Sequence, residues 1–268
     1  MPSPQGKPGV AEGEREGRRV FTIGAGKTRF QVAPSFAGSL ISWREKGEEW
    51  LLVGFPRPRA FTWLSPWFGG IYPILYELSL DEWNWPGRLH REEFRGERWA
   101  GEFSEIPLSG VRLLCEPRSR DLRGLSLEVI YASPGEGILL SLLRVRNSGR
   151  PRRLSGGFLG FLRPEGKLRD TVLYSPGRVR IRSPYHAGYE ARGWSLVRAP
   201  SGAGILLVVP PQAVAAIWDA GEEGRHLGIA RDFRLDPGEE ALIWGWWVAL
   251  QPGEPFEPWL ALSHISRA

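Results

Sequence analysis

Glycine and proline interrupt this chain so often that no long helix fits between them. The 34 glycines and 23 prolines among 268 residues divide it into short apolar runs, and no segment longer than about ten residues repeats at the helical period. RVFTI and TRFQV flank GAGK as strand, turn and strand. GSLISW and EWLLV read as a second pair across residues 44–49. GVRLLCEP, LSLEVIYAS and GILLSLLRVRNS follow, the last two joined by Pro134-Gly135-Glu136-Gly137, a hairpin signal. GGFLGFLRP, DTVLYS, GRVRIRS, GWSLVRA, AGILLVVPP, AVAAIWD, HLGIA, DFRL and EALIWGWWVAL continue the pattern to the C-terminal region. Short strands at this spacing predict an all-β chain built as a large antiparallel β-sandwich. The absence of a fixed repeat disfavours a propeller or solenoid. Residues 1–18 hold Pro, Gly and charge without an apolar core and read as a disordered leader, with residues 19–268 as one domain.

Composition narrows the functional classes. The single Cys115 excludes an intramolecular disulfide and multi-cysteine metal sites, and its setting in VRLLCEP points to a buried, inert thiol. The net charge of +5 raises nucleic acid as a partner, but the arginines alternate with apolar residues or sit beside carboxylates. The densest run, Arg144 to Arg153, reads as a strand end with a solvated rim, and the expectation is no nucleic-acid partner. No run is long and apolar enough for a membrane helix, so a cytoplasmic protein without a membrane partner is expected. Few Asn, Cys and Met residues beside many Arg and Pro fit a thermophile, or a GC-rich genome. The final strand WGWWVAL either closes a sheet or pairs across a dimer edge, which leaves a monomer or a homodimer.

The stretch from Phe61 to Phe103 concentrates rings and turn residues. It holds Trp63, Trp67, Tyr72, Tyr76, Trp83, Trp85 and Trp99 with Gly69-Gly70, His90, Glu92, Glu93, Glu97 and Arg98. Aromatic faces beside a few charges are what stacking on a sugar ring while bonding its hydroxyls demands. Two further clusters combine rings with polar groups. One is Tyr185, His186, Tyr189 and Glu190; the other is Asp219, Glu222, Glu223 and His226. The candidate catalytic groups are His90, His186 and Glu92, because a histidine beside a carboxylate can exchange protons near neutral pH. The candidate substrate-binding residues are Trp63, Trp67, Tyr72, Trp83, Trp85, Arg98, Trp99, Tyr185 and Asp219. Phosphate-loop, dinucleotide, zinc-protease and serine-hydrolase signatures are missing, the four histidines are scattered, and neither cofactor nor metal is expected.

The order of these segments resembles the galactose mutarotase-like superfamily, the β-sandwich of aldose 1-epimerases. GSLISW is similar to its opening strands, FGGIYP to its glycine-containing substrate loop, and FRLDPGEEALIWGWWVAL to its closing strands. LHREEF, RGERWAGEF, LSLEVIYAS and ILLSLLRVRNSG resemble the progression between. The likeness spans most of residues 19 to 250. It implies a sugar or oligosaccharide ligand in the concave face of the sandwich, with His90 at the family's first histidine. It also implies a mechanism in which a histidine protonates the ring oxygen and a glutamate takes the anomeric proton. This chain departs from that pattern. GGFLGFLRP carries no histidine after Asn147, Gly228 to Arg231 hold the places where the glutamate is expected, and the arginine beside the glycine loop is missing after Gly70. Two functions stay open. One is a carbohydrate-binding protein, carbohydrate-modifying if an epimerase-like isomerase activity persists. The other is a non-catalytic structural or interaction sandwich that has lost the acid/base pair.

Overall fold

The computed structural model of the chain describes residues 8–61, 64–78, 89, 92–166, 171–176, 178–181, 187–219 and 225–264. The strands, in chain order, are β1 (Gly9–Arg15), β2 (Arg18–Ala25), β3 (Thr28–Ala33), β4 (Ser39–Glu45), β5 (Glu48–Glu49), β6 (Arg59–Phe61) and β7 (Leu64–Trp67). Next come β8 (Ile71–Glu77), β9 (Arg95–Phe103), β10 (Ile106–Cys115), β11 (Leu125–Gly135), β12 (Ile138–Asn147), β13 (Arg152–Leu162) and β14 (Val172–Ser175). Then follow β15 (Arg178–Ile181), β16 (Ala187–Arg192), β17 (Trp194–Arg198), β18 (Gly204–Val208), β19 (Val214–Asp219), β20 (Arg225–Leu235) and β21 (Glu240–Leu250). Helical segments include the 3-10 pieces Pro164–Gly166 and Glu257–His264.

Two antiparallel sheets face each other. The ten-stranded sheet runs β1-β2-β3-β4-β8-β13-β20-β19-β16, with β5 beside β4, and the nine-stranded sheet runs β15-β14-β17-β18-β21-β12-β11-β10-β9. The fold is a large antiparallel β-sandwich. Alternation along each strand divides its side chains between two faces. On β13, Leu154, Phe158 and Leu162 enter the core between the sheets, where they meet Val129, Tyr131, Leu143, Ile229 and Trp247. Leu159 and Phe161 point the other way, into a separate cluster with Val20, Phe36, Phe55, Phe68, Tyr72 and Ile74 on the outer face. The nine-stranded sheet also carries an apolar outer strip, in which Phe103, Leu108, Ile130, Trp244 and Trp246 lie with Trp259 and Leu262 of the C-terminal 3-10 segment. Burial on both faces explains why the central strands read as nearly unbroken apolar runs.

Several expectations need correction. The leader does not extend through residue 18, because Gly9–Arg15 pairs in full register with β2. As an edge strand it needs little apolar side chain: ladder hydrogen bonds hold it, and Glu12 pairs with Arg19 at 2.6 Å. EWLLV does not form a full strand beside GSLISW. Only Glu48 and Glu49 pair with β4, and Leu51 bridges to Leu162 instead. HLGIA and DFRL are one continuous strand, β20. WGWWVAL offers no dimer edge, since β21 pairs with β12 on one side and β18 on the other. The rim from Arg144 to Arg153 is only partly solvated. Arg152 is buried, pairs with Glu77 at 3.1 Å, and donates to the carbonyls of Asp121 and Arg123.

A buried carboxylate ties the sheets together at one end. Glu45 accepts hydrogen bonds from the Trp43 indole N–H at 2.5 Å and the Thr28 hydroxyl at 2.8 Å, and Thr28 in turn accepts from the backbone N–H of Gly137. Burial raises the Glu45 carboxyl above its ordinary 4.5, against the lowering effect of the Trp43 and Thr28 donors. A group with a raised folded value binds its proton more tightly in the folded state. Its contribution is complete below 4.5 and declines as pH rises through the folded value. Denaturant unfolding of wild type and Glu45→Gln across this range should therefore show the variant gaining relative stability as pH rises. Parallel curves would rule the linkage out.

Candidate functional site

The central strands of the ten-stranded sheet bring one group of chemistry-bearing residues together. β8 pairs with β13 through Tyr72 opposite Leu159, and β13 with β20 through Phe161 opposite His226. β20 in turn sets His226 opposite Trp218 of β19. Gly70 makes the junction possible: it has a positive φ of 72° and lies against the Leu40 carbonyl, where any side chain would collide. Its carbonyl accepts from the Phe161 N–H at 2.8 Å. Tyr72 and Phe161 then stack nearly parallel, with centroids 6.1 Å apart and planes 8° from parallel, and Phe161 meets the His226 ring at 4.1 Å. Phe36 links the cluster outward through edge contacts to Phe55 and Phe68, at 5.3 and 4.9 Å.

These groups are covered: Tyr72, Phe161 and His226 are 2%, 1% and 3% exposed. Burial pushes the Tyr72 phenol far up, so it stays protonated, and among the described residues its hydroxyl has no hydrogen-bond partner. A buried hydroxyl without a partner costs about 1–3 kcal/mol, so a ligand oxygen reaching it would recover that loss.

The expected site residues fall into three places. Trp67 lies on β7, which leads into Phe68 and the start of β8, and Asp219 ends β19 opposite Ala187 and Arg225. Both are therefore at the His226 end of the sheet, with Tyr72. Trp63, Tyr185 and His186 lie outside the described residues. Trp83, Trp85 and His90 likewise lie outside them.

Glu92, Arg98 and Trp99 are not brought to Tyr72. Glu92 is buried, and its two carboxylate oxygens accept the backbone N–H groups of Arg118 and Ser119 at 2.7 and 3.1 Å, which shapes the turn after β10. Arg98 and Trp99 lie on β9, the edge of the other sheet, and alternate across it. Trp99 packs against the outer strip of the nine-stranded sheet. Phe36, Phe55, Phe68 and Phe161 escaped the sequence reading. The alternation in GFLGFL was the available signal, since it puts Leu159 and Phe161 on the face opposite Phe158.

A groove of about 890 Å³ lies elsewhere, over the outer face of the nine-stranded sheet, and Arg95, Arg112, Leu114, Arg118, Glu128, Arg144 and Arg146 are among its walls. Its charges largely satisfy one another. Arg112 pairs with Glu97 and Glu128, Arg144 with Glu128 at 2.6 Å, Arg146 with Glu240 at 2.7 Å, and Arg118 with Glu93 at 3.6 Å. A polyanion would have to displace these carboxylates, and Phe94, its aromatic wall, is buried. This groove is thus the weaker candidate. Cys115 borders it, but burial pushes its thiol up to about 12.

No family model and no curated protein sequence matches the chain. Solved structures do. A galactose mutarotase-like protein from Clostridium acetobutylicum matches with a TM-score of 0.62 at 9% identity, over 91% of this chain and 98% of that one. A galactose 1-epimerase from Lactobacillus acidophilus matches with a TM-score of 0.60 at 12% identity, over 91% and 98%. A TPR-domain containing protein from Parabacteroides distasonis matches with a TM-score of 0.62 at 14% identity, over 88% of this chain; the chain spans about half, 48%, of that protein. These likenesses establish a remote relationship of fold with the galactose mutarotase-like sandwiches.

Two outcomes follow from the geometry. Tyr72→Phe should leave the unfolding midpoint unchanged or raise it, because it removes a hydroxyl that bonds to no described group. A loss above about 1 kcal/mol would show that the hydroxyl already has a structural partner. A thiol reagent at mildly alkaline pH should leave Cys115 unmodified in the folded protein and label it on denaturation; rapid labelling of the folded form would contradict its burial.

Proposed function

We propose that this protein binds a carbohydrate on the outer face of the ten-stranded sheet, at the end where Tyr72, Phe161 and His226 meet. The observation that carries the reading is this convergence, on a mutarotase-like fold, of a stacked aromatic pair, a histidine and a buried phenol hydroxyl. Sugars offer ring faces of C–H groups and a rim of hydroxyls, and aromatic rings with a few polar groups complement both. Tyr72 supplies a hydrogen bond and His226 a second polar group. Trp67 and Asp219 lie on strands at the same end.

The reading is one of binding first. Anomer exchange by the mechanism that the resemblance implies needs an acid at the ring oxygen and a base at the anomeric hydroxyl. The outward positions of β13 are Ser155, Gly157, Leu159 and Phe161, and those of β20 are His226, Gly228, Ala230 and Asp232. His226 and Asp232 stand six residues apart on one extended strand, about 20 Å, too far to flank one sugar ring. Proton transfer would therefore have to pair His226 or His186 with a carboxylate from outside these two strands.

Burial of Tyr72, Phe161 and His226 favours the second reading, a non-catalytic structural sandwich in which these rings are simply core. Calorimetric titration with a panel of neutral and acidic mono- and oligosaccharides, with polarimetry on each ligand that binds, separates the two. Binding that weakens about tenfold in Tyr72→Phe, the loss of one well-made hydrogen bond, supports the proposal. Faster anomer exchange would add catalysis to it. Silence across the panel would favour the structural reading.

A further inference from the structure

The same outer face continues from the aromatic cluster onto the strands at the β1 edge, and there its character changes. A shallow hollow of about 280 Å³ is lined by Arg15, Thr22, Arg29, Gln31, Ser42 and Arg44. Alternation puts these side chains outward, since Phe21, Ile23, Phe30, Val32 and Trp43 on the same strands enter the inter-sheet core. It also turns Glu12 and Glu14 of β1 to the face opposite Arg15. Three guanidinium groups thus border one hollow with two hydroxyls and an amide.

Arg15 and Arg29 are held by neutral groups, and Arg44 by a carboxylate. Arg15 donates to the Gln31 side-chain oxygen at 2.8 Å, and Arg29 donates to the carbonyls of Gly26 and Thr28 at 2.7 and 2.8 Å. These neutral partners orient each fork and leave its charge uncompensated. Arg44 pairs with Glu49 at 3.7 Å, a carboxylate that also accepts from the Ser42 hydroxyl and the backbone N–H groups of Trp43 and Leu51. A guanidinium carries five N–H donors, so each of these forks retains donors for a ligand. The hollow is also continuous with the aromatic cluster, because the Arg15 guanidinium lies 5.4 Å from the centre of the Phe55 ring.

We infer that Arg15, Arg29 and Arg44 form an oxyanion subsite that selects an acidic saccharide, one bearing a carboxylate, sulfate or phosphate, for the face proposed above. The inference rests on the sugar-binding reading and adds its substrate class. Guanidinium forks match the paired oxygens of such groups, while Gln31 bonds Arg15 and Thr22, and Ser42 bonds Glu49, which fixes the rim around them.

The test is calorimetric titration of the whole chain with a uronic acid oligosaccharide, its carboxyl-reduced neutral counterpart, a hexose phosphate and inorganic sulfate alone. It is repeated on Arg29→Gln/Arg44→Gln and on Arg15→Gln, with thermal unfolding as the check on folding. The acidic oligosaccharide or the hexose phosphate should bind about tenfold or more tightly than the neutral counterpart, and whichever binds better identifies the oxyanion. The preference should shrink as salt is raised, and the variants should lose it while keeping the neutral affinity. Equal binding of the acidic and neutral saccharides, or a preference untouched by the variants, would overturn the subsite and leave the sugar-binding reading standing. Sulfate binding as tightly as the acidic saccharides would reduce the hollow to a simple anion site and overturn the selection of a sugar. If no saccharide binds, both readings fall.

Discussion

The close approach of the two sheets at Trp247 is the contact on which the rest of the molecule depends. The indole of β21 lies over Gly160 of β13, where a Cβ would sit 3.0 Å from the ring, and its N–H donates to the Ser141 hydroxyl of β12 at 2.9 Å. A large flat ring thus fills the inter-sheet space at the strand that carries Leu159 and Phe161 on its other face. Interiors packed this tightly do not yield gradually, so the inner face of β13 fixes the height and tilt of its outer face. The candidate site is therefore the back of the core.

That arrangement explains the unusual polarity of the ten-stranded sheet. Its inner face is apolar throughout the middle, as a sandwich demands. Its outer face changes along the strand order, from arginines and hydroxyls near β1 to rings at β8 and β13 and a histidine at β20. The outer face of the nine-stranded sheet is divided as well, between paired charges at Glu97, Arg112, Glu128, Arg144 and Glu240 and an apolar strip at Phe103, Trp244 and Trp246. What sets the ten-stranded sheet apart is the placing of Arg15 and Arg29, held by neutral groups, beside its aromatic cluster.

Much of the fold was legible because alternation and turn chemistry are local. Pro134 to Gly137 marked the β11–β12 turn, and the strands from RVFTI to EALIWGWWVAL, EWLLV excepted, lie close to where their apolar patterns put them. The site was less legible because its assembly is not local. The tryptophan-rich stretch looked like one unit, yet β8 belongs to one sheet and β9 to the other, so neighbours in sequence such as Tyr72 and Trp99 end on different sheets. Glu92 read as a catalytic carboxylate, but a carboxylate is equally suited to collecting two backbone N–H groups, and no periodicity distinguishes the uses. Phe161 and His226 meet only through register between strands some sixty residues apart, which no spacing rule encodes.

The central claim is that ligand binding falls on the outer face of the ten-stranded sheet. Hydrogen–deuterium exchange of the protein with and without a saturating saccharide tests it most directly. The account predicts slowed exchange confined to peptides of β3, β4, β8, β13 and β20 and the connections at their His226 end. Slowed exchange in β9 to β12 instead, around the paired charges of the nine-stranded sheet, would contradict it.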